Sequence, residues 1–271
     1  MKKPGLGAKI YVVLLLMFMY LPILVVALFS FNASMARTPT VFTGFSLQWY
    51  RQLFDDTRGF GGALKTSLLL ALYSVSLSTV LGVLGAVGQV RRQYRATLGG
   101  RMRRAASSLL ESVALLPVML PEIILGVAFM LLFAALRLPA GMTTLTIAHT
   151  TFCVPYIYVM VKSRLRTMDE ELELAARDLG ASSFKALCTI TLPLLRPAIF
   201  SGMLLALAMS LDDFVISFFV NGPETTTLPL KIYSSARVGV SSQVNALCVV
   251  MLLVVFALVG LSQLALRRRE S

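Results

Sequence analysis

Six long apolar runs limit this chain to a fold that crosses a membrane several times. An α-helix needs about 20 mostly apolar residues to cross the hydrocarbon core of a bilayer. The composition agrees, because 57% of the 271 residues are hydrophobic and 14% are charged, whereas a soluble domain carries about 25% charged residues. We therefore predict an all-α membrane protein of one domain, residues 1–271. The predicted spans are Ile10–Phe31, Leu64–Val87, Leu109–Leu136, Met142–Val161, Ala198–Val220 and Val244–Leu266.

The positions of the basic residues predict how the chain is oriented. Most of the 25 Lys and Arg residues precede the first span or follow the second, fourth and sixth spans. Loops rich in Lys and Arg stay on the cytoplasmic side, so both termini are predicted to be cytoplasmic. The net charge of +12 is then a property of the loops beside the lipid and does not indicate binding to nucleic acid.

Residue types that build metal and catalytic sites are sparse. The three cysteines, Cys153, Cys188 and Cys248, share no metal-ligand spacing, and the single histidine, His149, has no acidic neighbour in the sequence. The segment GFGGALKTS resembles a phosphate-binding loop but lacks the glycine before its lysine. GVLGAVG is typical of close helix packing. We predict no enzyme, no metal and no cofactor bound by the chain itself.

Two adjacent carboxylates, Asp212 and Asp213, lie inside the fifth predicted span. A charge near the centre of a bilayer costs at least about 2.5 kcal/mol, so it stays there for a reason. On one continuous helix adjacent side chains point about 100° apart, and the small residues Ala206, Ser210 and Ser217 share the face of the second carboxylate. We predict that Asp213 faces a water-accessible path and that Asp212 pairs with a partner subunit. The alternative is a buried carboxylate that caps backbone groups where the helix breaks.

A third carboxylate, Glu122, follows two prolines in the segment LLPVMLPEIILG. Pro117 and Pro121 each remove an intrahelical hydrogen bond, so this span is predicted to bend or break. Irregular backbone at membrane depth is tolerated mainly beside protein or a cavity, which makes Glu122 a second candidate for the path. Tyr156 in the fourth span offers an aromatic face for a cation. The carboxylates within the spans favour a cationic substrate. So does the expectation that no Lys or Arg is buried.

The charged segment TMDEELELAARDLGASSFKALCTITLP, between the fourth and fifth spans, predicts a helical hairpin. Thr167 and Glu170 have the spacing of a capping box, and Gly180 is placed to end the first helix in a left-handed conformation. Ser182 or Ser183 can cap a second helix. The first helix has an apolar stripe, so the hairpin either packs on its own bundle or docks into another protein.

Part of that segment, LAARDLGASSFKALCTITLP, resembles the characteristic cytoplasmic loop of ABC-importer permease subunits. The matching positions are Ala175, Ala176, Gly180, Ile190, Leu192 and Pro193. The chain departs from the pattern at Leu174, where the family usually has Glu, and carries Glu173 one position earlier. The resemblance implies a type I ABC-importer permease fold, in which residues 167–193 form a coupling hairpin that seats in a groove of an ATPase subunit. The residues then expected at that contact are Leu172, Glu173, Ala175, Ala176, Asp178, Gly180 and Ala181.

Other segments resemble one branch of that family, the spermidine/putrescine permeases, and among them the second permease of each pair. They are HTTFCVPYIYVMVKSRL, SLDDFVISFFVNGPETTTLPLKIYS and RVGVSSQVNAL. The resemblance implies polyamine import across a bacterial inner membrane. It also implies a second permease, a periplasmic binding protein and two copies of an ATPase subunit that binds ATP-Mg. Two alternatives stay open: an importer of ferric iron or an amino acid, and a proton-coupled secondary transporter.

Overall fold

Helices form nearly all the regular structure of the computed structural model, which describes residues 5–55, 59–97, 101–169, 171–253 and 256. Within these ranges, one isolated bridge joins Asn32 to Phe45. A π-helical turn, Leu187–Thr191, connects α8 to α9. The helices are α1 (Leu6–Phe29), α2 (Gln48–Phe54), α3 (Phe60–Thr97), α4 (Arg101–Met119), α5 (Glu122–Ala135), α6 (Met142–Arg166), α7 (Glu171–Asp178), α8 (Ser183–Ala186), α9 (Leu192–Asp212), α10 (Val215–Val220), α11 (Leu228–Val238) and α12 (Ser242–Leu253).

In the described ranges, four helices are long and apolar enough to cross a membrane. They are Gly7–Phe29, Phe60–Val90, Met142–Arg166 and Ser183–Asp212. A fifth candidate is the bent pair Ser108–Met119 and Glu122–Ala135, whose two halves meet at 105°. The sixth predicted span begins within α12, and most of its second half lies outside the described residues.

The bend predicted from the two prolines is confirmed. Helix α4 ends at Met119, and Pro121 precedes α5 with an extended backbone (φ −56°, ψ 132°). Proline cannot donate a backbone hydrogen bond and disfavours helical geometry in the residue before it. The chain therefore leaves one helix at Leu120 and starts another at Glu122.

The chain forms two compact units, residues 63–230 and the two terminal segments 1–62 and 231–271. Among the candidate spans that the structure describes, α6 is the most buried, and Ile157 on it is fully buried. A methyl group added at Gly82 on α3 would lie 3.0 Å from Ile157 Cβ, and one added at Gly202 on α9 would lie 3.0 Å from Ile157 Cα. Glycine thus permits the close helix packing that GVLGAVG predicted for Gly82.

The second unit is organised around a buried asparagine. The Asn32 side chain accepts a hydrogen bond from the Thr43 backbone N–H over 2.9 Å and donates one to the Val41 carbonyl over 2.9 Å. Trp49 on α2 donates its indole N–H to the Asn32 carbonyl over 2.6 Å. These bonds fix α2 and the loop before it against the end of α1.

The fifth span begins earlier in the chain than the predicted Ala198. Helical structure is continuous from Ser183 to Asp212, so the second helix of the hairpin and the span are one element. The π-helical turn ends at Thr191, two residues before Pro193. A proline ring clashes with the carbonyl four residues before it, and the wider π-helical turn accommodates that clash without ending the helix.

Candidate functional site

The fifth span is interrupted at the two adjacent carboxylates. Helix α9 ends at Asp212, the backbone of Asp213 is extended (φ −64°, ψ 119°), and α10 begins at Val215. Asp213 Oδ1 accepts a hydrogen bond from the Ile216 N–H over 3.1 Å, and Oδ2 accepts one from the Ser217 N–H over 2.8 Å. Asp213 therefore caps the start of α10, which was the alternative stated from the sequence. The premise of one continuous helix was wrong.

A buried polar network surrounds this carboxylate. His149 is fully buried on α6, and its Nε2 lies 3.3 Å from Asp213 Oδ2 and 3.1 Å from Ser217 Oγ. Its Nδ1 lies 2.9 Å from Ser210 Oγ, which in turn lies 3.2 Å from Ser74 Oγ on α3. The network thus joins α3, α6, α9 and α10 at the interruption.

Sequence reasoning missed His149, because its partners are far away in the chain. Ser210 follows it by 61 residues and Ser217 by 68. The available signal was that a lone histidine in one span and an aspartate in another can pair across a helical bundle. Periodicity within one helix does not reveal such a pair.

The two carboxylates at the interruption differ in exposure. The Asp213 side chain is 4% exposed, and Ala206, Ser210 and Ser217 beside it are also buried inside the chain. Asp212 is exposed. The face predicted to line a path is therefore turned into this chain, and the exposed carboxylate is the one predicted to meet a partner subunit. Contact with a substrate stays a prediction for both.

Glu122 is the first residue of α5 and is exposed, directly after the bend in the third span. Tyr156 on α6 is half-buried, and α6 contacts α5, which begins at Glu122. Two of the residues predicted for the path, one an acid and one an aromatic, therefore lie on helices that are in contact.

The two interrupted spans pack against each other. Helix α10 contacts α5, and a methyl group added at Gly126 would meet Ile216 Cα at 3.5 Å and the Phe219 ring at 2.7 Å. Gly126 lies four residues after Glu122, where α5 begins, and Ile216 lies four residues after Asp212, where α9 ends. The bend before Glu122 and the break at Asp212 are thus side by side, which concentrates irregular backbone and carboxylates in one place.

A buried ion pair lies elsewhere in the first unit. Lys162 on α6 pairs through Nζ with Glu111 Oε1 on α4, and the ammonium group stands 5.4 Å from the centre of the Tyr158 ring. The Lys162 side chain is 7% exposed and the Glu111 side chain 29%. The sequence predicted a cationic substrate partly because no Lys or Arg was expected to be buried. Lys162 is buried, so that expectation was wrong.

The hairpin has the predicted C-terminal stop. Gly180 has φ +86°, in the left-handed region, as predicted. The Ala181 N–H donates to the Ala176 carbonyl over 3.0 Å, and the Gly180 N–H donates to the Arg177 carbonyl over 2.9 Å. This pair of bonds is a Schellman motif.

The predicted start of the first hairpin helix was wrong. Thr167 is the residue directly after α6, and its hydroxyl donates a hydrogen bond to the Arg164 carbonyl over 2.9 Å. Asp169 instead accepts the Glu171 N–H over 3.0 Å, while Glu170, the other half of the predicted capping box, lies outside the described residues. The predicted serine cap of the second helix is present, since Ser182 Oγ accepts the Lys185 N–H over 3.2 Å.

Four large apolar side chains of the hairpin are exposed in this chain. Leu179 is 91% exposed and Phe184 75% exposed, and Leu172 and Leu174 are about half exposed. Of the residues expected at an ATPase contact, Leu172, Ala175, Asp178 and Gly180 are exposed, whereas Glu173, Ala176 and Ala181 are half-buried. Exposed apolar groups of this size on a polar hairpin are typical of a docking surface.

Comparisons with known proteins agree with this architecture. Residues 96–271 match the family described as binding-protein-dependent transport system inner membrane component. The chain belongs to that family, whose members are components of transport systems and not enzymes. Its fold is shared with a chain in the crystal structure of a bacterial ABC transporter involved in the import of the acidic polysaccharide alginate. The TM-score is 0.71, the identity is 18%, and the likeness covers 97% of this chain and 99% of that chain.

Two relatives are similar over most of their length. The putrescine transport system permease protein PotI of Escherichia coli (strain K12) is 41% identical over 241 residues, which cover 87% of this chain and 82% of the relative. The spermidine/putrescine transport system permease protein PotC of Haemophilus influenzae is 38% identical over 253 residues, 93% of each chain.

Proposed function

We propose that this chain is a permease subunit of an ATP-driven importer and forms half of a translocation path for polyamines in a bacterial inner membrane. The observation that carries the proposal is the identity of 41% and 38%, over most of each chain, with relatives named for putrescine and spermidine/putrescine transport. The substrate is then a flexible polycation with methylene linkers between ammonium groups.

The geometry at the two interruptions supports a cationic substrate. Asp212 and Glu122 are exposed carboxylates beside irregular backbone, and Tyr156 lies on α6, which contacts the helix that begins at Glu122. A carboxylate forms a charge-assisted hydrogen bond with an ammonium group, and an aromatic face attracts the same cation. We assign substrate contact to these three residues. Asp213, whose oxygens accept two backbone N–H groups, supports the interruption instead.

The hairpin transmits the motion of the ATPase subunits to the permease. The exposed Leu179 and Phe184 are suited to an apolar groove on a cytoplasmic ATPase subunit, with two copies serving this permease and a second one. ATP-Mg is bound by those subunits, and a periplasmic binding protein delivers the polyamine from the outer side.

The direct test is uptake of labelled putrescine and spermidine into proteoliposomes that contain the complete complex, with ATP inside and the proton gradient collapsed. We expect uptake that requires the binding protein and stops when a non-hydrolysable ATP analogue replaces ATP. Uptake that persists without ATP and follows an imposed proton gradient would support a secondary transporter. ATP-driven uptake of ferric iron or an amino acid, without polyamine uptake, would refute the proposed substrate.

A further inference from the structure

The loop after α1 folds back over the end of that helix and exposes three apolar side chains that the function proposed above does not use. Phe45 is 70% exposed, and Val41 and Phe42, a few positions earlier, are exposed as well. We propose that these three residues, called the collar below, bind the bilayer surface at which α1 ends. The inference concerns the membrane and is independent of the substrate that the complex imports.

The buried Asn32 holds the collar in place. Its side chain donates a hydrogen bond to the Val41 carbonyl, and its side-chain oxygen accepts both the backbone N–H and the hydroxyl of Thr43. The Ser46 N–H donates to the Phe31 carbonyl over 2.7 Å. The backbone of this part of the loop is therefore fixed against the end of α1, and its apolar side chains stay exposed in that arrangement.

Two aromatic pairs join the collar to the end of the span. Phe42 meets Phe29, the last residue of α1, edge to face with ring centres 6.4 Å apart. Phe45 stacks on Phe31 with ring centres 4.9 Å apart. Offset-stacked and edge-to-face pairs are the arrangements that aromatic rings prefer. Both collar rings thus lie beside the last turn of α1.

The length of α1 places its end at the bilayer surface. Its 24 residues extend about 36 Å at about 1.5 Å per residue, whereas the hydrocarbon core is about 30 Å thick. A helix centred in the core then passes about 3 Å beyond the hydrocarbon at each end, into the head-group region. Tyrosine is enriched at that depth, and the Tyr50 ring lies 5.2 Å from Phe31 in the same group of rings.

The surroundings of α1 favour lipid over a protein as the occupant of the collar. Among the described residues, none in the most apolar stretch of α1 is buried inside this chain, and its exposed side chains point in all directions around the helix. A neighbouring subunit can cover one side of such a helix and leaves lipid on the others. Apolar side chains at the end of a span are buried in the boundary between head groups and acyl chains.

Fluorescence quenching in phosphatidylcholine vesicles tests the proposal. The complete complex, with its reactive cysteines replaced, carries one fluorescent label at Phe45→Cys, and the lipids carry bromine either near the head group or near the chain ends. We expect the head-group bromine to quench this label more strongly. Phe18→Cys, at an exposed position in the middle of α1, is the depth reference and should show the opposite order. Asp55→Cys, at an exposed carboxylate directly after α2, is the control and should be quenched by neither.

Val41→Cys repeats the measurement at a collar position where no aromatic pair is lost, so it decides the question if Phe45→Cys assembles poorly. We expect the same order of quenching. Labels at the collar that neither lipid quenches, that the chain-end bromine quenches more strongly, or that behave like the label at Asp55 would overturn the proposal. Protection of the label by added binding protein, without quenching by either lipid, would assign the collar to that protein and would also overturn it.

Discussion

The Thr191 hydroxyl donates a hydrogen bond to Glu173 Oε2 over 3.2 Å, which ties the first helix of the hairpin, α7, to the start of the fifth span. Thr191 is buried at the end of the π-helical turn, and Glu173 is half-buried on α7. The loop pattern that this segment resembles would place the carboxylate one position later, where this chain has Leu174. In this chain the Glu173 carboxylate serves an internal contact of the hairpin.

Replacing Thr191 with valine removes this bond and preserves the shape of the side chain. We expect α7 to become less stable by about 1 kcal/mol, the net value of a typical hydrogen bond. Amide hydrogen exchange of residues 171–178 in the assembled complex should be faster. Thr189→Val is the matched control, because Thr189 is exposed and bonds only within its own helix, to the Lys185 carbonyl. Equal exchange in the two variants would contradict the role of Thr191.

Gly180→Val should uncouple ATP hydrolysis from transport. At φ +86° a residue with a Cβ pays about 1–2 kcal/mol, although the space around the position is open. The cost is thus conformational, and Gly180→Asn, which tolerates the left-handed region, should be milder. The measurement is ATPase activity of the purified complex with and without loaded binding protein. Normal stimulation and uptake in the valine variant would contradict a coupling role for the hairpin.

Asp212→Asn should weaken polyamine uptake and leave the complex assembled. The lost ammonium–carboxylate attraction is worth about 1–2 kcal/mol, or roughly 5- to 30-fold in half-saturation concentration. Asp213→Asn should act mainly on complex yield, because its carboxylate caps α10. Uptake against concentration is measured at matched amounts of complex. A loss of uptake in Asp213→Asn at normal yield, with Asp212→Asn like wild type, would restore the assignment first made from the sequence.

The ion pair of Lys162 and Glu111 predicts that removing one partner destabilises the protein more than removing the other. Glu111→Gln leaves the more buried partner, Lys162, without its counter-charge, whereas Lys162→Met leaves a carboxylate that is 29% exposed. We expect the first to cost about 3 kcal/mol and the second less, and the double variant to lie near wild type. Thermal unfolding of the complex in detergent measures which of the three variants is the least stable. A double variant as unstable as Glu111→Gln would contradict the pairing.

Local signals in the sequence predicted much of this structure. Two prolines predicted the bend before Glu122, and a glycine at the end of a charged helix predicted the left-handed turn at Gly180. These features depend on residues within a few positions of one another. The break at Asp213 carries no proline or glycine, and the carboxylate itself stabilises it by accepting N–H groups from α10.

Pairings between helices could not be predicted in the same way. The contacts of His149 cross more than 60 residues of chain, and the burial of Lys162 depends on how α4 meets α6. Helical periodicity defines the face on which a residue lies, but the neighbour of that face is set by packing of the whole bundle. The candidate site was therefore predicted as a set of residues, whereas the exposure of Asp212 and the capping of α10 by Asp213 were seen only in the structure.

The continuous helix Ser183–Asp212 has a mechanical consequence. Its 30 residues extend about 45 Å at about 1.5 Å per residue, with the proposed ATPase contact at one end and Asp212 at the other. A rigid tilt of about 5° at the first end would move the second by about 4 Å over that length. That distance exceeds the reach of a hydrogen bond, so a small rotation of the docked ATPase subunits would separate an ammonium group from Asp212 without any change inside the helix.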